Sequence, residues 1–369
     1  MIDAEGLGQG RDAARPVQVA GGAALAQVAL AMVALDLAAR PALAFQHRHR
    51  HAKAAQLERK GKSGDPGTGD DDGFHCQMRI PVCPASRNPV CPILGAFVPI
   101  DLHFLTESAL DDTRLADYRD LQDRRLGEDS GRFVAESELI VRKLLATDLR
   151  VCSLLLTAPR LASLEPLLAT GKSDYPVFVV PQSVMDQIAG FHVHRGCLAI
   201  AERPRQPVLP AGARTVVVLV DLVDVDNLGA MARNAAAFGA DAIMLSPRCA
   251  DPFYRKAVRT SAGAVLSLPI VRAMRWPEDL LALREQHGLA LVGAVLSERA
   301  LTLASFVPPA HLAILFGAEG PGLDEETMRV CDALVTIPMA KSPAVDSLNV
   351  ATAGAVFLYH VTQRQRSAG

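Results

Sequence analysis

Thr215-Val-Val-Val-Leu-Val220 is a run of six residues whose only polar member is its opening threonine. Its reading decides the fold. A continuous β-branched run is the pattern of a strand buried on both faces, as in a parallel sheet. It gives way to a loop over Asp221–Gly229 and then to a helix over Ala230–Phe238. The alternation repeats. Strands are predicted at Ala242–Leu245, Leu289–Val295, Leu312–Phe316 and Leu334–Ile337, and helices at Phe253–Thr260, Pro277–His287, Asp324–Cys331 and Asn349–Gln363. Strand then helix throughout implies an α/β architecture with a mainly parallel sheet. Such sheets bind ligands at the loops that follow the carboxyl ends of their strands, so those loops are where chemistry is to be sought.

Three of them carry it. The first is Asn227-Leu-Gly-Ala-Met-Ala-Arg233-Asn234. An Arg on the first turn of a helix offers a bidentate fork for a phosphate, and the helix N-terminus adds positive potential. The plainer reading of the same residues is an N-capping Asn and a solvated Arg. The second is Phe316-Gly-Ala-Glu319-Gly-Pro-Gly322-Leu323, where Gly317, Gly320 and Gly322 let the backbone approach a ligand and adopt positive φ. A dinucleotide fingerprint wants Gly-x-Gly-x-x-Gly opening an early βαβ unit. Here the loop comes late and embeds Glu319, which argues against a nicotinamide oxidoreductase. The third is Ile337-Pro-Met339 followed by Ser347-Leu-Asn349-Val350, which alone reads as a helix start with Ser347 as N-cap.

In this order and context the three stretches resemble the signature motifs of the SpoU (TrmH-like) branch of the SPOUT RNA methyltransferases. The resemblance runs from about residue 111 to 369 and is strongest from Thr215 on. It implies a C-terminal parallel sheet tied in a trefoil knot, S-adenosylmethionine as cofactor, and methyl transfer to ribose 2′-hydroxyls of tRNA or rRNA. It also implies a homodimer built on the knot region. Arg233 becomes the centre of ribose activation. Arg stays charged in proteins, so positioning of phosphate and hydroxyl outweighs proton abstraction as its role. Asn227 would brace the loop or the ribose. Carried over by position, Gly317, Gly322, Ile337, Met339 and Leu348 hold the cofactor. Glu319 keeps the loop or neighbouring catalytic side chains in register, while Ser347 and Asn349 lie near the reacting centre. One departure stands out: the usual Gly soon after Pro-Met is replaced by Ala340-Lys-Ser-Pro-Ala-Val-Asp346, in a slightly longer loop. That change keeps a different class of function in view, an RNA-binding protein with this fold and no methyl transfer.

A formal charge of −2 gives no global nucleic-acid signature, so an RNA substrate needs a local one. Arg255, Lys256 and Arg259 stand at i, i+1 and i+4 of a predicted helix, with Arg248 nearby. This is the basic cluster that an RNA surface requires, or else a solvated helix face.

Upstream, apolar runs at Val151–Thr157, Val177–Val180 and Gly196–Ile200 alternate with helical patterns at Leu139–Leu145, Leu161–Leu168 and Gln182–Ile188. A charged amphipathic helix is predicted from Arg114 to Arg125. Residues 110–205 thus form a small α/β unit that resembles the ribosomal-protein-like substrate-binding domain preceding many SpoU catalytic domains. Phe191-His-Val-His194-Arg-Gly196 matches the step before its last strand, with His192 and His194 read as RNA contacts or a half-exposed strand entry. The Pro-rich stretch Glu202–Pro210 is a stiff linker, and residues 211–369 are the methyltransferase domain. Residues 1–109 read as a poorly ordered extension.

Within that extension the Ala-rich run Val17–Phe45 has the look of a secretory signal or a membrane span, but Asp36 sits deep in it and export would remove the enzyme from its RNA. An organellar transit peptide is the weaker alternative, and a start placed too far upstream the favoured one. The expected location is the cytoplasm, away from any membrane. His47, His49 and His51 alternate with Arg, and Cys76, Cys83 and Cys91 match no zinc spacing, so no metal is expected. Seven scattered cysteines suit a reducing compartment, with Cys152, Cys197 and Cys331 as small core residues.

Overall fold

The computed structural model describes residues 76–80, 100–106, 110–119, 121, 131–170, 174–193, 195–205, 207–340 and 347–368. The His47–His51 alternation, Cys83, Cys91, His194, most of the predicted helix beyond Tyr118 and residues 341–346 of the departing loop lie outside them. The described residues form two compact units, one from those up to 122 with Ser153–Cys197, the other from 123–152 with Leu198 onward.

In the first unit, β1 (Cys76–Ile80) runs antiparallel to β2 (Ile100–Phe104), and β2 runs parallel to β5 (Pro176–Val179), which pairs in parallel with β4 (Val151–Leu156). Helices α2 (Ala158–Thr170) and α3 (Gln182–Ala189) and a 3-10 turn at Thr113–Tyr118 complete it. Strands β1 and β2 both lie inside the stretch read as a poorly ordered extension, so regular structure reaches back to Cys76. In β2 the cause is a period-2 pattern too short to stand out: Ile100 and Leu102 are buried while Asp101 and His103 alternate with them. The buried Tyr118 hydroxyl pairs with Ser153 Oγ at 2.8 Å.

The second unit opens with β3 (Arg132–Glu136) and α1 (Glu138–Leu145), and β6 (Cys197–Glu202) pairs antiparallel with β3. Its centre is a seven-stranded sheet of β7 (Thr215–Leu219), β8 (Ala242–Leu245), β9 (Ile270–Arg272), β10 (Ala290–Ala294), β11 (Leu301–Thr302), β12 (Leu312–Phe316) and β13 (Ala333–Thr336). The order is β11-β13-β10-β12-β7-β8-β9, and every pair is parallel. All five residues of β7 and of β12 are buried, as unbroken apolar runs demand at the middle of a covered sheet. The all-parallel α/β sheet agrees with the expected fold class. Short β9 and β11 were not foreseen.

Helices α4 (Val225–Ala237), α5 (Arg255–Thr260), α6 (Glu278–His287), α7 (Glu325–Arg329) and α8 (Val350–Ala368) join and cover the strands. Helix α4 begins five residues before the predicted Ala230. Asp224 caps it, its carboxylate accepting from the Asn227 amide at 2.8 Å. Asn227 therefore sits in the first turn, and Arg233 falls in the third, beyond the reach of the helix N-terminal potential.

Helix α4 packs between α5 and α8. Asn234 Nδ2 donates to Ala351 O at 2.7 Å, and Thr362 Oγ1 to Phe238 O at 3.1 Å. On the α5 side Gly229 is enforced by close approach: a Cβ there would stand 2.9 Å from Ala257 O and 2.9 Å from Thr260 Cβ. Backbone cannot yield as a side chain can, so Gly229→Val is expected to lower unfolding stability by about 2–3 kcal/mol, read as an earlier midpoint in urea unfolding with an unchanged slope.

Candidate active site

The loops that leave β7, β12 and β13 meet at one carboxylate. Asn227 Nδ2 donates to Glu319 Oε1 at 2.6 Å, and Asn349 Nδ2 donates to the same oxygen at 3.0 Å and to Asn227 Oδ1 at 2.8 Å. The other face of Asn349 is a helix cap: its Oδ1 accepts from the amides of Ala351 and Thr352 at 2.9 and 3.2 Å. The residue that starts α8 is therefore Asn349 and not Ser347, and one side chain both ends a loop and joins the cluster.

Beside this hub lies a cleft of about 610 Å³. Every residue assigned to cofactor binding lines it: Gly317, Gly322, Ile337, Met339 and Leu348, together with Glu319, Ser347 and Asn349. Arg233 and Asn227 do not. The sequence reading missed the third wall, Ala294–Leu296 at the carboxyl end of β10, and Phe357 from α8. The rule that ligands collect at strand ends would have pointed to the former. Gly317 is fixed by sterics, since a Cβ on it would lie 2.2 Å from the backbone carbon of Gly322. The loop folds back on itself there, with Gly322 N donating to Ala318 O at 3.0 Å and Gly322 at φ +70. That brings main-chain groups to the cleft wall where side chains would stand.

Arg233 is exposed on α4, and among the described residues no hydrogen bond or ion pair engages its guanidinium. It shares a face of α4 with Asp226, seven residues back, rather than with Asn227. The four residues of the basic cluster are placed less freely. Arg255 reaches Glu136 at 3.1 Å and is half-buried, Lys256 pairs with Asp226 at 2.6 Å, and Arg248 pairs with Asp221. Arg259 is exposed near Asp226 and Lys256. The Arg248 guanidinium beside Asp221 holds its carboxyl below the usual carboxylate range, against a smaller upward push from burial, with the Ser246 hydroxyl adding to the effect. The Lys256 ammonium does the same to Asp226, helped by Thr260. Among histidines, His192 is tied to Asp186 at 2.7 Å, bracing its own turn.

Burial pushes the Cys331 thiol up to about 11, in keeping with an inert, partly buried residue, and Cys197 is fully buried. Among the described residues no group of side chains could hold a metal ion, and no helix is long and apolar enough to cross a membrane.

The family model for the SpoU rRNA Methylase family matches residues 214–359, the span that carries all three loops. A protein of Mycobacterium bovis named as an uncharacterized tRNA/rRNA methyltransferase is 40% identical over 269 residues, covering 70% of this chain and 92% of its own length. This chain belongs to the SpoU methylase family. Solved structures agree with that membership. The AdoMet-bound rRNA methyltransferase of Sinorhizobium meliloti has a TM-score of 0.62 at 26% identity, covering 71% of this chain and 98% of that one. A structure described as an RNA 2′-O ribose methyltransferase has a TM-score of 0.58 at 25% identity, covering 72% of this chain and 99% of the other. The cleft and its hub thus stand on the loops that the SpoU methylase model spans.

The Asp221–Arg248 pair sets a pH signature for this end of the sheet. A carboxyl whose folded value is depressed contributes stability above its unfolded value and loses it as pH falls through the folded one. Arg248→Gln is therefore expected to destabilise at about pH 6 and progressively less as pH falls below the ordinary carboxylate range and through the depressed folded value, beneath which Asp221 is protonated in either protein. Urea unfolding across that range checks it, and a destabilisation that is flat with pH would contradict the pairing.

Proposed function

We propose that this SpoU methylase transfers a methyl group from S-adenosylmethionine to a ribose 2′-hydroxyl of a structured tRNA or rRNA. The observation that carries the proposal is the Asn227–Glu319–Asn349 hub at the edge of a cleft lined by both late loops. The cleft fits the donor chemically. Apolar Leu296, Ile337, Leu348 and Phe357 suit a nucleoside ring, and the folded-back backbone at Gly317 and Gly322 offers main-chain groups to its polar edges. The described lining carries Glu319 and no Lys, Arg or His, as suits a positively charged sulfonium. When bound, S-adenosylmethionine supplies an electrophilic methyl group.

The chain's own residues do the rest. Glu319 locks the amides of Asn227 and Asn349, so the loops after β7, β12 and β13 keep a fixed spacing. Ser347, exposed on the cleft wall, stands where a hydroxyl can orient the incoming ribose. Arg233 projects from α4 as a free bidentate donor for a phosphate next to the target ribose. Arg248, Arg255, Lys256 and Arg259 line the approach, with Arg259 and the exposed Arg248 and Lys256 meeting RNA and Arg255 anchoring α5 through Glu136. Residues 110–205 select the RNA and residues 211–369 transfer the methyl group. A homodimer through the knot region would cover Leu348, Val356 and Tyr359, which are exposed at the start of and along α8. The substrates place the enzyme in the cytoplasm.

Two variants separate structure from chemistry at the hub. Asn349→Ser keeps an oxygen to cap α8 but deletes both Nδ2 donations, whereas Asn349→Ala deletes both functions; the alanine variant should be less stable by about 1 kcal/mol. Both should lose methyl transfer, measured with a labelled methyl donor on total RNA from a strain lacking the protein. Arg233→Ala is expected to leave donor affinity by calorimetry unchanged while cutting transfer at least about a hundredfold. Donor binding with no transfer by the wild-type protein to any RNA would overturn the enzymatic reading and leave an RNA binder.

A further inference from the structure

A second cleft, of about 880 Å³, opens in the same unit at the carboxyl ends of β7, β8 and β9. Its wall begins with Val223 and Val225, and Asn227 of the hub is two residues further along the same chain. Met274, just past β9, lines it as well. Val223 and Met274 are 69% and 82% exposed, although both are apolar. Pro247 and Tyr254, both with flat rings, are also in the lining.

The electrostatics are lopsided. Of the two guanidiniums in the lining, Arg203 is neutralised by Asp251 through bonds of 2.9 and 2.5 Å. Arg272 has no carboxylate partner among the described residues. It donates to the carbonyls of Ser246, Pro247, Cys249 and Ala250 at 2.8 to 3.3 Å. Those bonds clamp the loop that carries Arg248, and they leave the cleft with one uncompensated positive charge. Flat apolar walls under a net positive charge, open to solvent, match the requirements of a stacked base and its phosphate.

We infer that this second cleft holds an unpaired nucleotide of the RNA substrate, next in the strand to the one whose ribose enters the hub. The inference rests on the proposed RNA methyl transfer. The base packs against Val223, Tyr254 and Met274, and its phosphate faces Arg272 and Arg248. Arg272 is then a positioning residue that acts by holding the Arg248 loop. Substrate selection accordingly extends to a second nucleotide, which must be splayed out of a helix to enter.

The test uses the full chain and the same total RNA. Val223→Asp and Met274→Asp change exposed side chains that touch neither the donor cleft nor the hub, and each sets a carboxylate where the base and phosphate would lie. Each should raise KM for RNA about tenfold while the donor's Kd stays at the wild-type value. Met274→Lys should keep KM within about twofold, since it restores a charge of the favourable sign. RNA containing 4-thiouridine, irradiated on the wild-type protein, should crosslink to the peptides around Tyr254 and Met274. An unchanged KM in both aspartate variants would overturn the inference and leave the cleft to a protein partner. If the wild type transfers no methyl group at all, the proposed function fails first, and the inference falls with it.

Discussion

The arrangement of this end of the molecule depends on one carboxylate oxygen. Glu319 Oε1 accepts from Asn227 and Asn349 at once, and these two residues also bond to each other. They are 122 positions apart in sequence, with Glu319 between them. No local propensity brings such residues together, so the loops must be delivered by the sheet. It does this through strand order. After β7 the chain steps outward to β8 and β9, then crosses to β10 and leaves a slot that β12 fills next to β7. The carboxyl ends of β7, β12, β10 and β13 then stand side by side. That reversal of direction is a topological switch point, the place where open α/β sheets hold ligands.

The loops are also shaped by what they exclude. A side chain at Gly317 would occupy the space of the Gly322 backbone, so the loop closes only because residue 317 has none. Asn349 caps α8 with one atom and joins the hub with another. The helix end and the site are therefore one construction, and displacing either displaces the other.

Much of the fold was legible in the sequence because it is written in composition. Unbroken runs such as Thr215–Val220 and Leu312–Phe316 have no other stable use than as central strands, and both are buried strands here. The motif residues were legible as a group, and the ones assigned to the cofactor share one cleft. What was not legible turned on competition between like residues. Asp221, Asp224 and Asp226 crowd the start of α4, the last inside its first turn, and nothing in the sequence says that Asp224 is the cap, so the helix start lies five residues before the predicted one. Ser347 and Asn349 compete in the same way for α8, and the amide wins because it satisfies the hub as well. Strand β9 has three residues, too few to show a period.

Charge is the subtler lesson. A chain with a formal charge of −2 gives no sign of an RNA substrate, and the cations read as an RNA surface are mostly paired to acids: Arg248 to Asp221, Arg255 to Glu136, Lys256 to Asp226. Pairing does not remove such a cation from use when it is exposed, because an exposed ion pair is weak and a phosphate can take the acid's place. It does fix where the cation stands before RNA arrives. Arg255 differs, since it is half-buried against Glu136 and its partner is buried more deeply, so breaking that pair would strand a charge. The same ion-pair geometry thus sorts one cluster into contacts that can be lent to a substrate and one that holds α5 in place. Arg233 completes the pattern from the other direction: it is held by no acid among the described residues, and its whole capacity for a bidentate bond is left for a phosphate.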